Sequence, residues 1–124
     1  MPYKEYLDQA DEELLAAQLL FEKKFYRESV SRAYYSMFHA AQSLLILKEI
    51  YPKSHKGVLQ KFGEEFVKSG IIEKQLGHIL AQAETMRLKA DYDVGIPIAK
   101  EECEEILEHC EKFIDTVKKT IPKL

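Results

Sequence analysis

Arg32 and His39 stand two helical turns apart within Ser29 to Leu47, a stretch without a single Lys, Glu or Asp. An arginine fork and an imidazole on one helical face can grip phosphate oxygens bidentately and move a proton. At 100° per residue, Arg32, Tyr35, Ser36, His39, Gln42 and Ser43 share one arc, while Ala33, Tyr34, Met37, Phe38, Ala41, Leu44 and Leu45 fill the opposite one. A solvated face elsewhere in this chain carries Glu and Lys. An uncharged polar arc therefore faces a cleft, another helix or a partner subunit. Two readings follow: Arg32 and His39 join an internal hydrogen-bond network or a dimer contact with acids from other helices, or they form a phosphate site. Tyr34 and Tyr35 are core rings with satisfied hydroxyls on the first reading, and rings that stack on a base on the second.

Two further sets carry similar chemistry. Arg87 and Asp91 lie four apart with Tyr92 next, which makes either a helix ion pair or, if Arg87 converges on His39, extra positive charge for an anion. Ser54-His55-Lys56-Gly57 opens a helix, where free amides and the dipole attract anions; the plainer role is a Ser54 cap with solvated neighbours. The candidate catalytic residues are thus Arg32 and His39. The candidates for phosphate or nucleotide binding are Tyr35, Ser36, Ser54, His55, Lys56, Arg87, Asp91 and Tyr92. Cys103 and Cys110 are seven residues apart in one helix, about 10 Å by the helical rise and beyond disulfide reach. They read as reduced core residues, and neither a metal nor a cofactor is expected.

Helices must position all of these groups. Tyr3, Leu7, Ala10, Leu14, Ala17 and Phe21 alternate steps of four and three, predicting a first helix from about residue 3 to 25. A second runs from about 27 to 49, ending before Tyr51-Pro52 because the residue before proline avoids the α region. A shorter third helix follows Ser54 through Lys68, and Ser69-Gly70 supplies its left-handed stop. Ile72, Leu76, Ile79, Ala83, Met86 and Ala90 form the seam of a fourth helix reaching about Tyr92. After a Gly- and Pro-containing loop at residues 93 to 97, Cys103, Ile106, Cys110, Phe113 and Val117 stripe the fifth. Acids gather early and lysines late in the first and last helices, as the helix dipole favours. The expected fold is an all-α, up-and-down antiparallel bundle of about five helices in one domain, residues 1 to 124.

Composition narrows the function classes. With 46% hydrophobic and 31% charged residues, 5 Gly and 4 Pro, the chain has the make-up of a compact helical domain. A net charge of −3 argues against a broad basic surface for nucleic acid, so any RNA contact is local. No apolar run approaches the roughly 20 residues that span a bilayer, and the first five residues lack a signal peptide's apolar stretch. No membrane association and a cytoplasmic location are expected. The absence of Asn beside abundant Glu and Lys is a bias of proteins from thermophiles.

Three segments taken together, Ser31-Arg32-Ala33-Tyr34-Tyr35-Ser36-Met37-Phe38-His39-Ala40-Ala41, Ser54-His55-Lys56-Gly57 and Arg87-Leu88-Lys89-Ala90-Asp91-Tyr92, resemble the small, UPF0332-like branch of the HEPN domain family. The resemblance covers nearly the whole chain. It implies a helical bundle that usually forms a homodimer and is often paired with a minimal nucleotidyltransferase in a toxin–antitoxin or related defence module. Many members are metal-independent endoribonucleases carrying an Arg followed four to six residues later by a His, usually in a late helix. Arg32 and His39 have six residues between them, the long end of that spacing, but sit in the second helix; Arg87 sits more as the family's Arg does, with Tyr92 where its His is expected. The implied chemistry is attack of a ribose 2′-hydroxyl on the adjacent phosphate, His39 serving as general acid or base and Arg32 or Arg87 stabilising the phosphorane. The rival expectation is a non-catalytic interaction module that binds a nucleotidyltransferase partner through the same helices.

Overall fold

In a computed structural model describing residues 2–124, five α-helices form the bundle: α1 (Pro2–Glu22), α2 (Tyr26–Leu47), α3 (His55–Phe62), α4 (Lys74–Tyr92) and α5 (Lys100–Thr120). Among the described residues there is no strand. The seams expected of α4 and α5 turn inward, with Ile72, Leu76, Ile79, Ala83, Ala90, Cys103, Ile106, Cys110, Phe113 and Val117 buried and Met86 half-buried; of the α1 seam Ala10 and Ala17 are buried, while Tyr3, Leu7, Leu14 and Phe21 are half-buried. Helix ends differ by a few residues from the periodicity. Lys24 and Glu49 adopt positive φ values of 67° and 59°, stopping α1 and α2 earlier than the apolar pattern alone suggests. The third helix ends in a π-helical turn, Gly63–Val67, before Gly70 makes the expected left-handed stop at φ 86°.

The second helix is the axis of the molecule, packing against all four others. This explains its composition. A helix packed on several sides keeps only a narrow, half-buried strip in contact with water, and burial of an unpaired charge there is costly. Small residues let α1 approach closely. Ser29 and Ser36, both fully buried, donate to the carbonyl oxygens of Ala17 and Ala10 at 2.7 and 2.6 Å, so two hydroxyls of α2 stitch it to α1. Ser43, equally buried, bonds back to the Ala40 carbonyl within its own helix at 2.6 Å.

Loops are held by specific side-chain hydrogen bonds. Ser54 caps α3, its Oγ accepting from the Gly57 amide at 3.0 Å. Arg27 donates to the carbonyls of Lys89 and Ala90 at the end of α4 and to that of Ile96 beyond it, satisfying oxygens that a helix terminus leaves open. Cys103 and Cys110 are free and buried. Burial raises both thiols above the ordinary range, Cys110 to about 12, so both are neutral core groups at physiological pH.

Candidate functional site

The polar arc of α2 is divided by the fold. Ser36 and Ser43 lie against protein, while Arg32, Tyr35 and His39 stay partly open. Their surroundings are not free of carboxylates, as the composition of α2 alone suggests. Glu13, reaching across from α1 and only 5% exposed, meets both basic groups. Its Oε1 lies 2.6 Å from His39 Nδ1 and its Oε2 lies 3.7 Å from Arg32 Nη1. Glu13 sits three residues after Ala10 and four before Ala17, on the edge of the apolar seam of α1. An acid at that register was the available signal for a buried partner, although in sequence it merges with the acidic run of Asp11 and Glu12.

Tyr35 is the centre on which the basic groups converge. The Cζ atoms of Arg32 and Arg87 lie 5.2 and 5.7 Å from its ring centre. The rings of His39 and His55 lie at 6.4 and 5.8 Å. Three helices thus place two guanidiniums and two imidazoles around one phenol. Beneath it, fully buried Tyr34 packs edge-on to Tyr35 and takes the Arg87 guanidinium 4.9 Å from its own ring centre. Burial first, then the nearby Glu84 carboxylate, pushes the Tyr34 phenol up to about 12, so it remains protonated.

The other sequence candidates fall around this centre unequally. Arg87 is 9% exposed, and its Nε is buried without a hydrogen-bond partner. Asp91 receives Arg87 Nη1 at 3.5 Å and the Ser31 hydroxyl at 2.6 Å, tying α4 to α2. His55 stacks on Phe38 with ring centres 4.2 Å apart, and its Nδ1 lies 3.5 Å from the Tyr34 hydroxyl. Lys56 is exposed, and Tyr92 projects outward at 71% exposure. The Ser36 hydroxyl faces α1 with no surface in contact with solvent, and that of Ser54 is engaged as a cap. Two depressions flank the cluster: about 510 Å³ lined by residues including Arg27, Ser31, Arg32 and Asp91, and about 240 Å³ formed by Glu5, Tyr6, Gln9 and His39. Among the described residues no three His, Cys, Asp or Glu side chains converge as a metal-binding group.

His55 reports on the field at this centre. Its imidazole is held below its ordinary pKa, first by loss of hydration and then by the Arg87 charge. The expected result in an NMR titration is a His55 midpoint below about 6.5. Arg87→Met should raise that midpoint part of the way back, because the hydration effect remains. Since the folded state binds its proton less readily than the unfolded chain, this group costs stability as pH falls below the ordinary histidine value. An unchanged midpoint in the variant would show that Arg87 does not act on His55.

The family profile described as "HEPN domain" matches residues 3–120. A protein of Methanocaldococcus jannaschii named "Putative toxin" is 44% identical over 115 residues, covering 93% of this chain and 85% of that protein. A second protein of that organism with the same designation is 41% identical, over 91% of this chain and 77% of its own length. A UPF0332 protein of Pyrococcus horikoshii is 58% identical over 64 residues, 52% of this chain and 45% of the relative. Among solved structures, one from Thermus thermophilus superposes with a TM-score of 0.80, covering 95% of this chain and 97% of its own; at 17% identity this likeness concerns the fold.

Proposed function

This chain belongs to the HEPN domain family, and from that premise we propose that it is a toxin-type HEPN protein that binds an RNA or nucleotide phosphate at the Tyr35 cluster and cleaves RNA without a metal ion. The observation that carries the reading is the gathering of Arg32, Arg87, His39 and His55 around the Tyr35 ring. Arg32 supports it most directly: its side chain is 43% exposed and its single carboxylate contact is long, leaving guanidinium donors for phosphate oxygens. Tyr35 offers a ring face beside those donors, the kind of surface on which an unpaired base stacks.

In the proposed reaction, the ribose 2′-hydroxyl attacks its own 3′-phosphorus and loses its proton to an imidazole. The P–O5′ bond breaks, the 5′-oxygen leaves with a proton, and a 2′,3′-cyclic phosphate remains. His39 serves as acid or base, and Arg32 stabilises the phosphorane charge. One imidazole cannot accept and donate at once; a homodimer that brings two copies of the cluster together supplies the second proton-transfer group. Its proposed regulator is a nucleotidyltransferase-type partner protein.

Glu13 favours a second reading. Its contact with both Arg32 and His39 is what an internal structural network requires, and in that case the same helices serve as a non-catalytic docking module for the nucleotidyltransferase. The separating experiment uses purified wild-type protein, short single-stranded RNA and excess chelator. Appearance of cyclic-phosphate termini supports the enzyme. No cleavage at any pH or concentration leaves the docking module.

A further inference from the structure

We propose that Glu13 is the positioning residue of this site, holding His39 with its proton on Nδ1 so that Nε2 is the nitrogen that exchanges protons with the RNA. The inference rests on the ribonuclease reading of the same cluster. Glu13 is the only acid of its run to be buried; Glu12 beside it is exposed and Asp11 half-buried. A carboxylate taken out of water is retained at tolerable cost only when donors replace the lost hydration. Here the one close donor is His39 Nδ1 at 2.6 Å to one oxygen, while the Arg32 guanidinium adds its charge from 3.7 Å to the other.

The chemistry follows from the inventory of donors. An ionised carboxylate only accepts, so the imidazole nitrogen facing it must carry the hydrogen. Free imidazole in water favours the opposite tautomer, with hydrogen on Nε2. Glu13 therefore reverses the intrinsic preference and leaves a lone pair, or after protonation a donor, on the far nitrogen. His39 is 23% exposed and lines the depression formed with Glu5, Tyr6 and Gln9, so the imidazole has an opening to solvent on that side. The same carboxylate also faces Arg32 at 3.7 Å, so one buried group orients the proton carrier and draws the phosphate-gripping cation to its side. The titratable groups facing His39 besides Glu13 are Glu5 and Tyr6 on α1, Arg32 and Tyr35 on α2, and His55 on α3.

Nitrogen-15 NMR of the histidine rings tests this at a pH where His39 is neutral. The expected result for wild-type protein is the Nδ1–H tautomer, and for Glu13→Gln, which preserves shape, a mixed or Nε2–H population. With single-stranded RNA the same variant should lose on the order of 10- to 10⁴-fold in kcat, the upper figure being the loss seen when the acid that holds a catalytic histidine's tautomer becomes an amide, with KM changed far less. Glu13→Asp should restore part of the rate. An Nε2–H tautomer in wild type, or unchanged kcat in Glu13→Gln, overturns the proposal. The wild-type tautomer needs no variant to fold. The expected tautomer in a protein that cleaves no RNA would sink the ribonuclease reading while leaving the orientation of His39 by Glu13 established.

Discussion

Replacing His39 with alanine is expected to slow metal-free RNA cleavage by about 10²- to 10⁴-fold, the range for losing a positioned general acid or base. The substitution also withdraws one donor from a buried carboxylate, and an orphaned acceptor costs roughly 1–3 kcal/mol. Arg32 still faces Glu13, and His39 is itself partly exposed, so the lower end of that range applies. A domain with 5–15 kcal/mol of stability then stays folded, since even about 2 kcal/mol keeps the native form some thirtyfold in excess. Loss of rate with retained helicity thus identifies chemistry and not unfolding. Full activity in the variant would remove His39 from the mechanism and with it the case for Glu13.

The largest effect on stability is expected at Tyr34. It has no exposed surface and packs against Tyr35, Phe38 and the Arg87 guanidinium. Truncation to alanine leaves a large cavity beside a buried cation, which puts the cost near the usual 3–5 kcal/mol for an aromatic removed from a core. In a thermal melt this corresponds to a Tm lower by on the order of 10 °C or more. Tyr34→Phe keeps the ring under Arg87 and gives up only a hydroxyl whose contact with His55 is long, so it should cost about 1 kcal/mol or less. The two variants also differ at high pH. Because the Tyr34 pKa is raised in the fold, its contribution is present below pH 10 and lost as pH rises toward 12, a loss Tyr34→Phe does not show. If Tyr34→Ala melts within a degree or two of wild type, Tyr34 is not the platform that carries Arg87 and Tyr35.

The site and the core are built as one layer. Arg87 reaches Tyr35 only because Tyr34 supports it from below, and Tyr34 is placed by the inward arc of α2. Changes to that layer should therefore disturb phosphate binding as well as stability, whereas changes at exposed Tyr92 or Lys56 should leave the melt nearly unchanged.

Periodicity alone determined the five helices, the inward seams of α1, α4 and α5, the Ser54 cap and the Gly70 stop, because each depends on residues close together in the chain. It also marked α2 as unusual through its missing Lys, Glu and Asp. Only the tertiary structure decided what that meant. Ser36 and His39 share an arc, yet one is sealed under α1 and the other borders an open depression; Glu13 belongs to an acidic run in sequence and to the His39 and Arg32 pair in space. The physical reason is that repeats of three and four residues specify which side of a helix faces inward. They do not specify the axial offset and rotation between two helices. Those two quantities decide which carboxylate meets which imidazole and which hydroxyl finds a carbonyl.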